Sequence, residues 1–410
     1  MPSYLRLEFG PIFRSLTRNK FSSMLVVLQM AIAMAIMTNG IFIAAERYQL
    51  VQRHSGMDED NSFYVTSSGF TDNFNPRISI EEDLALIRNM PGVIDAVQTN
   101  SLPLSDSGRW FNLQKDPGIE EPKVPTASYK FDQHGIQTFD LELLAGENFA
   151  AQDVLWQDPS DNSWPAKIML SKATAQALFG EQDWISAIGK TIYVDISNPL
   201  IVSALVDHIQ APWIEWEFVN HTMISPARVT HGSARYVVRT ESGRRDELMK
   251  EIESALANSN KQRMVRKMRS VESSKLEIYA ADIATVSILL IVVVVLTCVA
   301  AMGIAGLASF NINKRKRQIG IRRALGASRG DILRYFLLEN FLLSSAGVLL
   351  GIVLAVSLNM FLVNFYGLTP LSWFYIPVAL LMLLLIGQLA VFLPACKAAN
   401  ISPALAVRAI

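Results

Sequence analysis

Few residues in this sequence are spaced for chemistry. Gly189-Lys190-Thr191 has the ending of a phosphate-binding loop. That loop needs a glycine five residues before its second one, and position 184 is Trp. With no other stretch supplying the loop, the chain is not expected to hydrolyse ATP itself. The five histidines (His54, His134, His208, His221 and His231) show neither HxxxH nor HExxH spacing, and the two cysteines, Cys298 and Cys396, lie in or beside apolar runs. A zinc site is not expected from that pattern. A nucleophile elbow GxSxG is also missing. What remains is a stretch suited to docking rather than to bond-making: Asn311 to Asn340, NINKRKRQIGIRRALGASRGDILRYFLLEN. Its basic residues could be a simple cytoplasmic anchor. The ordered IGIRRALGA turn is more than an anchor needs. Gly326 interrupts a basic helix there, Ser328 can cap the next one, and Asp331 falls in that helix's first turn.

The elements that hold this stretch are apolar. Of 410 residues, 50% are hydrophobic and 18% charged, with a mean hydropathy of +0.26. No charge occurs from Phe21 to Ala45, from Ile283 to Phe310, or from Asn340 to Cys396. A bilayer core takes about 20 residues of helix, so the last run must hold two spans. The turn between them is YGLTPLSWFY (366–375), with Gly367 and Pro370 as breakers and Trp373 and Tyr375 suited to the interface. The expected spans are 21–45, 283–310, 340–365 and 376–396. No charge is expected in mid-span, where a proton or ion carrier would need one. The polar residues Asn39, Asn359 and Gln388 are read as ties between helices. Gly347, Gly351 and Ala355 form a small-residue ridge at four-residue spacing, for packing within the chain or with a second copy.

Arg6, Arg14, Arg18 and Lys20 precede the first span. Eight Lys or Arg residues lie in the 311–334 loop, and Lys397 and Arg408 follow the last span. Basic short loops stay inside, so both termini and the 311–339 loop are expected in the cytoplasm and 46–282 outside. The first apolar run is too long for a cleavable signal and is read as an anchor. The outer region reads as an α/β domain split in sequence (about 58–124 and 210–272). A β-rich subdomain (about 125–209) is inserted into it, and helices at both ends form a stalk. The expected helices include 79–89, capped at Ser79, a short helix capped at Ser171, an extension of the first span over Glu46–Met57, and Lys275–Asp282 leading straight into the second span. Residues 1–20 are read as a cytoplasmic helix.

The run KRKRQIGIRRALGASRGDILRYFLLEN resembles the cytoplasmic signature of the MacB/FtsX-type ABC transporter permeases, and the tail PACKAANISPALAVRAI is similar to that family's C-terminus. KIMLSKATAQALFGE, IGKTIYVDISNPLIVSALVDHI and MPGVIDAV are similar to its outer domain. Gln318 departs from the family, which often has Glu there. The resemblance covers essentially the whole chain. It implies a permease of the bacterial inner membrane with no cofactor of its own, paired with an ATPase subunit that binds ATP and Mg. Arg315, Arg317, Gly320, Arg322, Arg323, Gly326 and Ala327 would form the coupling loop, with Arg322 and Arg323 as contacts and Gly320 and Gly326 setting the turn. The resemblance further implies a second permease chain and, in Gram-negative members, a periplasmic adaptor and an outer-membrane channel. It implies efflux of peptides, antibiotics or similar substrates, driven by movement of the outer domain. The alternatives are lipoprotein extraction, regulation of cell-wall hydrolases, or a membrane-anchored ligand sensor.

Overall fold

The computed structural model describes residues 20–158, 161 and 163–401; the expected N-terminal helix (residues 1–20) and the end of the C-terminal motif fall largely outside them. Two compact units result. One comprises the residues up to Gln52 together with those from Ala281 onward, and the other is Arg53–Ala280.

The first helix, α1 (Lys20–Val51), stops short of Met57. Its last backbone bond of helical spacing is Gln52 N to Tyr48 O, 3.0 Å. Beyond it the chain turns at His54–Gly56, where Glu59 Oε1 accepts from Ser55 N at 3.0 Å. The Glu59 carboxylate also accepts from Lys275 Nζ at 2.8 Å. Burial pushes the Glu59 pKa up, but the Lys275 and Ser55 hydrogen bonds outweigh it and hold the group below its ordinary 4.5. A depressed carboxylate stabilises the fold above its unfolded pKa and loses that effect as pH falls through the folded one. Glu59→Gln is therefore expected to lower the thermal midpoint at pH 7 and to change it little at pH 3.

In the outer unit, β1 (Ser62–Gly69), α2 (Pro76–Arg88) and β2 (Val93–Gln98) come first. Helix α2 begins three residues before Ser79. Asn75 is its cap, accepting from Ile78 N at 3.3 Å, and Pro76 occupies the first turn, where a missing N–H costs nothing. Asn-Pro outranks the Ser79 signal, which lies inside the helix. Next come β3 (Arg109–Gln114), β4 (Val124–Lys130), α3 (Gly135–Phe139), β5 (Leu143–Gly146), β6 (Leu155–Gln157), β7 (Lys167–Ser171), α4 (Lys172–Phe179), β8 (Thr191–Val194), β9 (Asn198–Val206), β10 (Thr222–Ser225) and β11 (Ala227–Val229). The unit closes with β12 (Ser233–Thr240), α5 (Arg245–Ser259), β13 (Arg263–Ser270) and α6 (Val271–Ile278).

The order β13-β1-β12-β2 interlocks the two ends of this unit in one antiparallel sheet. Strands β1 and β2 run parallel with β12 between them, as do β12 and β13 with β1 between, which makes two split β-α-β crossings. Phe63, Val65, Tyr236 and Val238 bury one face with Ile80, Leu84, Leu248 and Ile252 of the two helices. Asp83 inside this layer accepts from the Tyr236 hydroxyl at 2.7 Å and pairs with the buried Arg263.

The inserted β-rich subdomain is wider than 125–209. Its sheet runs β5-β9-β7-β10-β4-β3-β8, and β8 pairs back onto β9, so six of its strands close on themselves. Closure removes the free edges of those six strands, and β5 adds on at β9 as the seventh. Leu113, Ile168, Leu170, Ile192, Val202 and Met223 fill the interior. Strand β3 joins this sheet beside its neighbour β4 and across a long stretch of chain to β8, and β10 joins it by a long-range pairing with β4.

The membrane unit holds α1, α7 (Ala280–Lys314), α8 (Lys316–Ala324), α9 (Arg329–Tyr366) and α10 (Tyr375–Ala399). Helix α6 does not run straight into α7; Ser270 caps α6 at its start, and the backbone breaks at Tyr279. Four of these helices, α1, α7, α9 and α10, have mean hydropathies of 2.0, 3.0, 2.4 and 2.6 over their most apolar windows, and each is long enough to cross a bilayer. Apolar side chains such as Ile291, Val353 and Leu389 remain exposed on their outer faces, as lipid contact requires. This is a multi-pass membrane protein.

Candidate functional site

The site is the elbow between α7 and α9, and each of its bends has a local cause. Arg315 breaks α7 from α8. At the far end of α8, Ala327 N donates to Arg322 O (3.1 Å) and Gly326 N to Arg323 O (3.2 Å). Gly326 sits at φ 100. This is the paired C-terminal closure that a left-handed glycine permits. Ser328 then caps α9: its Oγ accepts from Asp331 N at 3.2 Å, while Asp331 Oδ2 accepts from Ser328 N at 2.9 Å. The reciprocal pair satisfies two otherwise orphaned donors.

The basic residues of the elbow divide into two sets. Arg315 turns inward, and its Nη1 donates to Glu339 Oε1 and Oε2 at 2.9 and 3.0 Å. Only 13% and 11% of those side chains are exposed. The pair lines a small cavity of about 40 Å³ beside Asn311, Phe336 and Asn340. Arg323 Nη1 donates to Ala399 O at 2.9 Å, which closes the end of α10 onto the elbow. Arg317 and Arg322 stay exposed, with the Arg322 guanidinium 5.0 Å from the Tyr335 ring centre. Beside them, α8 and its C-cap residue show two bare apolar side chains four residues apart, Ile321 (47% exposed) and Leu325 (83%).

Below the elbow, polar groups and close contacts hold the spans together. Asn39 Nδ2 donates to Ala35 O and Ala355 O, both at 3.0 Å. Asn340 Nδ2 donates to Gly387 O at 3.0 Å, and Asn359 Oδ1 accepts from Leu371 N at 2.9 Å. Arg47 and Asp282 join α1 to α7 at 2.9 Å. Among the described residues no group of three His, Cys, Asp or Glu side chains could hold a metal ion.

Two family models match the chain: the MacB-like periplasmic core domain over residues 23–255 and the FtsX-like permease C-terminal over 290–403. The chain belongs to the MacB/FtsX-type permease family. It is 25% identical over 96% of its length to a "Macrolide export ATP-binding/permease protein MacB" of Wolinella succinogenes, and 27% identical over 95% to the protein of that name from Marinobacter nauticus. It spans 59% and 58% of those relatives' lengths. Among solved structures it is similar to the periplasmic region of MacB from Actinobacillus actinomycetemcomitans, with 14% identity and a TM-score of 0.33, covering 56% of this chain and 97% of that one.

The elbow lies inside the permease match. Of the seven coupling residues named from sequence, the structure leaves Arg317, Arg322 and Gly326 on the permease surface. Arg315 and Arg323 are engaged inside the chain, and Ala327 packs against the helix core. Gly320 is buried in the middle of α8 and sets no turn; its backbone is helical, and Gly326 alone takes the left-handed conformation there. Gly347, Gly351 and Ala355 lie against α1 of the same chain. Sequence reasoning missed Ile321 and Leu325, whose spacing of four would have marked one helical face. It also missed Glu339, the last charge before the third apolar run.

Proposed function

We propose that this chain is the permease of an ABC transporter and that an ATPase subunit, holding ATP and Mg, docks on α8. The exposed pair Ile321 and Leu325, flanked by Arg317 and Arg322, carries the reading. Bare apolar side chains in a basic surface are what a partner's groove would cover. In this reading the elbow and both termini face the cytoplasm of a bacterial inner membrane, and the outer unit faces the periplasm. Basic residues in the short loops support that orientation. Two permease chains work with the ATPase, whose closure moves the outer unit to drive efflux of peptides, antibiotics or similar substrates. A periplasmic adaptor and an outer-membrane channel complete the pump. The relatives titled macrolide export proteins support that direction of transport.

The test is Ile321→Asp combined with Leu325→Asp. ATPase recovered with the purified permease should fall at least tenfold, while membrane insertion and thermal midpoint hold, since exposed substitutions usually shift stability by about 0.5 kcal/mol or less. Undiminished recovery of the ATPase would sink the assignment of α8. Arg323→Glu is a poor probe, because it breaks the bond to Ala399 O inside the permease itself.

A further inference from the structure

The inserted β-rich subdomain carries a cleft of about 390 Å³, within the size range of small-ligand sites. One wall is cationic. Arg109 opens β3 and Lys130 closes β4; Arg109 pairs in register with Ser128, so the pleat puts Arg109 and Lys130 on the same face. The Lys130 ammonium donates to Gln157 Oε1 at 2.7 Å, and the Gln157 amide in turn donates to Ser163 O. Gln157 therefore fixes where that ammonium points. No carboxylate ion-pairs with either cation among the described residues. Burial lowers the Lys130 pKa, the neighbouring Arg109 charge lowers it further, and the Asp161 charge offsets part of that shift. Two like charges held close, offset only by Asp161 beyond ion-pairing distance, favour an anion between them.

The rest of the cleft narrows the choice of anion. Asp161 and Asp195 line it as well. Asp161 is committed to Ser163 N at 2.8 Å, and Asp195 stands in the β8–β9 turn at φ 46. Carboxylates on the rim repel a dianion such as phosphate, and they tolerate a ligand with one negative end and hydrogen-bond donors beside it. Phe111 and Trp164 form an apolar corner, edge to face with centroids 4.8 Å apart.

We propose that this cleft binds the carboxylate end of a peptide, with the terminal carboxylate at Arg109 and Lys130 and an apolar terminal side chain against Phe111 and Trp164. The donors of the peptide backbone face the Asp161 and Asp195 rim. The site is built from the inserted subdomain alone and stands whether or not an ATPase docks on α8.

The test uses the full chain in lipid nanodiscs and calorimetric titration with N-acetyl-Ala-Ala-Phe as free acid, with the same peptide as C-terminal amide, and with free phenylalanine. The acid should bind and the amide at least tenfold more weakly, since a charge-assisted hydrogen bond contributes about that factor or more. Arg109→Gln, an exposed change, should weaken the acid about tenfold and leave the amide unaffected; Lys130→Gln should act in the same direction. Trp164→Ala should erase the preference for Phe over Ala at the terminus. Equal binding of acid and amide, no binding of the acid up to millimolar concentration, or an unchanged Arg109→Gln would each overturn the proposal. Free phenylalanine binding as tightly as the peptide would overturn the peptide assignment and make the ligand a free amino acid.

Discussion

Glu339→Ala is expected to destabilise the membrane unit by about 3–5 kcal/mol, the range for removing one partner of a buried ion pair. The Arg315 guanidinium would keep its charge and lose both of its 2.9–3.0 Å contacts in a setting where little of it reaches water. Arg315 stands at the break between α7 and α8, so the same change also loosens the elbow from α9. Thermal unfolding of the purified chain in detergent reads the first effect, and stimulation of the proposed ATPase reads the second. Replacing both residues by apolar ones (Arg315→Met with Glu339→Leu) should recover much of the midpoint, because the desolvated charge disappears with its partner. If Glu339→Ala shifted the midpoint no more than an exposed Glu→Ala such as Glu253→Ala, the pair would have to be solvated.

Gly351→Val should separate α1 from α9. A Cβ at 351 would lie 2.5 Å from Met34 Cβ and 2.9 Å from Ala31 O; at 347 it would lie 2.6 Å from Met30 Cβ and 2.8 Å from Val27 O. Neither a backbone oxygen nor a Cβ can swing aside, so the helix axes must move apart. That motion also strains the Asn39–Ala355 bond one turn along. Overpacking of this kind costs about 1–3 kcal/mol, and the weakened interhelical hydrogen bond adds about 0.6. Gly306→Val is the control, since nothing lies within 4 Å of a Cβ there. A large drop in midpoint for Gly351→Val and a small one for Gly306→Val is the expected result. Equal drops would mean that valine's helix propensity, rather than the contact, sets the loss.

Signals confined to a few neighbouring residues were legible before any fold was known. Uncharged runs marked four spans, because each depends only on one contiguous stretch of about 20 residues; Gly326 marked the elbow turn and Ser328 with Asp331 the start of α9, because those depend on the chain within about one helical turn. The Ser79 cap failed on the same scale: Asn75 and Pro76, only a few residues upstream, offered a better start. The extent of the inserted subdomain was not legible, since β3 and β10 are placed in its sheet by pairing with β4 and with β8 and β7, strands tens of residues away in the chain.

The amino-acid sequence by itself determined four spans, a large insertion after the first and a basic elbow, because hydrophobic length, the basic residues of short loops and turn residues act without tertiary partners. The tertiary structure decided which charges of that elbow face outward. Arg315 meets a carboxylate and Arg323 a carbonyl, both distant in sequence, while Arg317 and Arg322 meet neither among the described residues and stay exposed. It also decided that the small-residue ridge packs on α1 of the same chain and that Arg109 and Lys130 share a cleft. Whether a charge is satisfied or available depends on groups brought close only by the folded backbone, and no spacing along the chain encodes that.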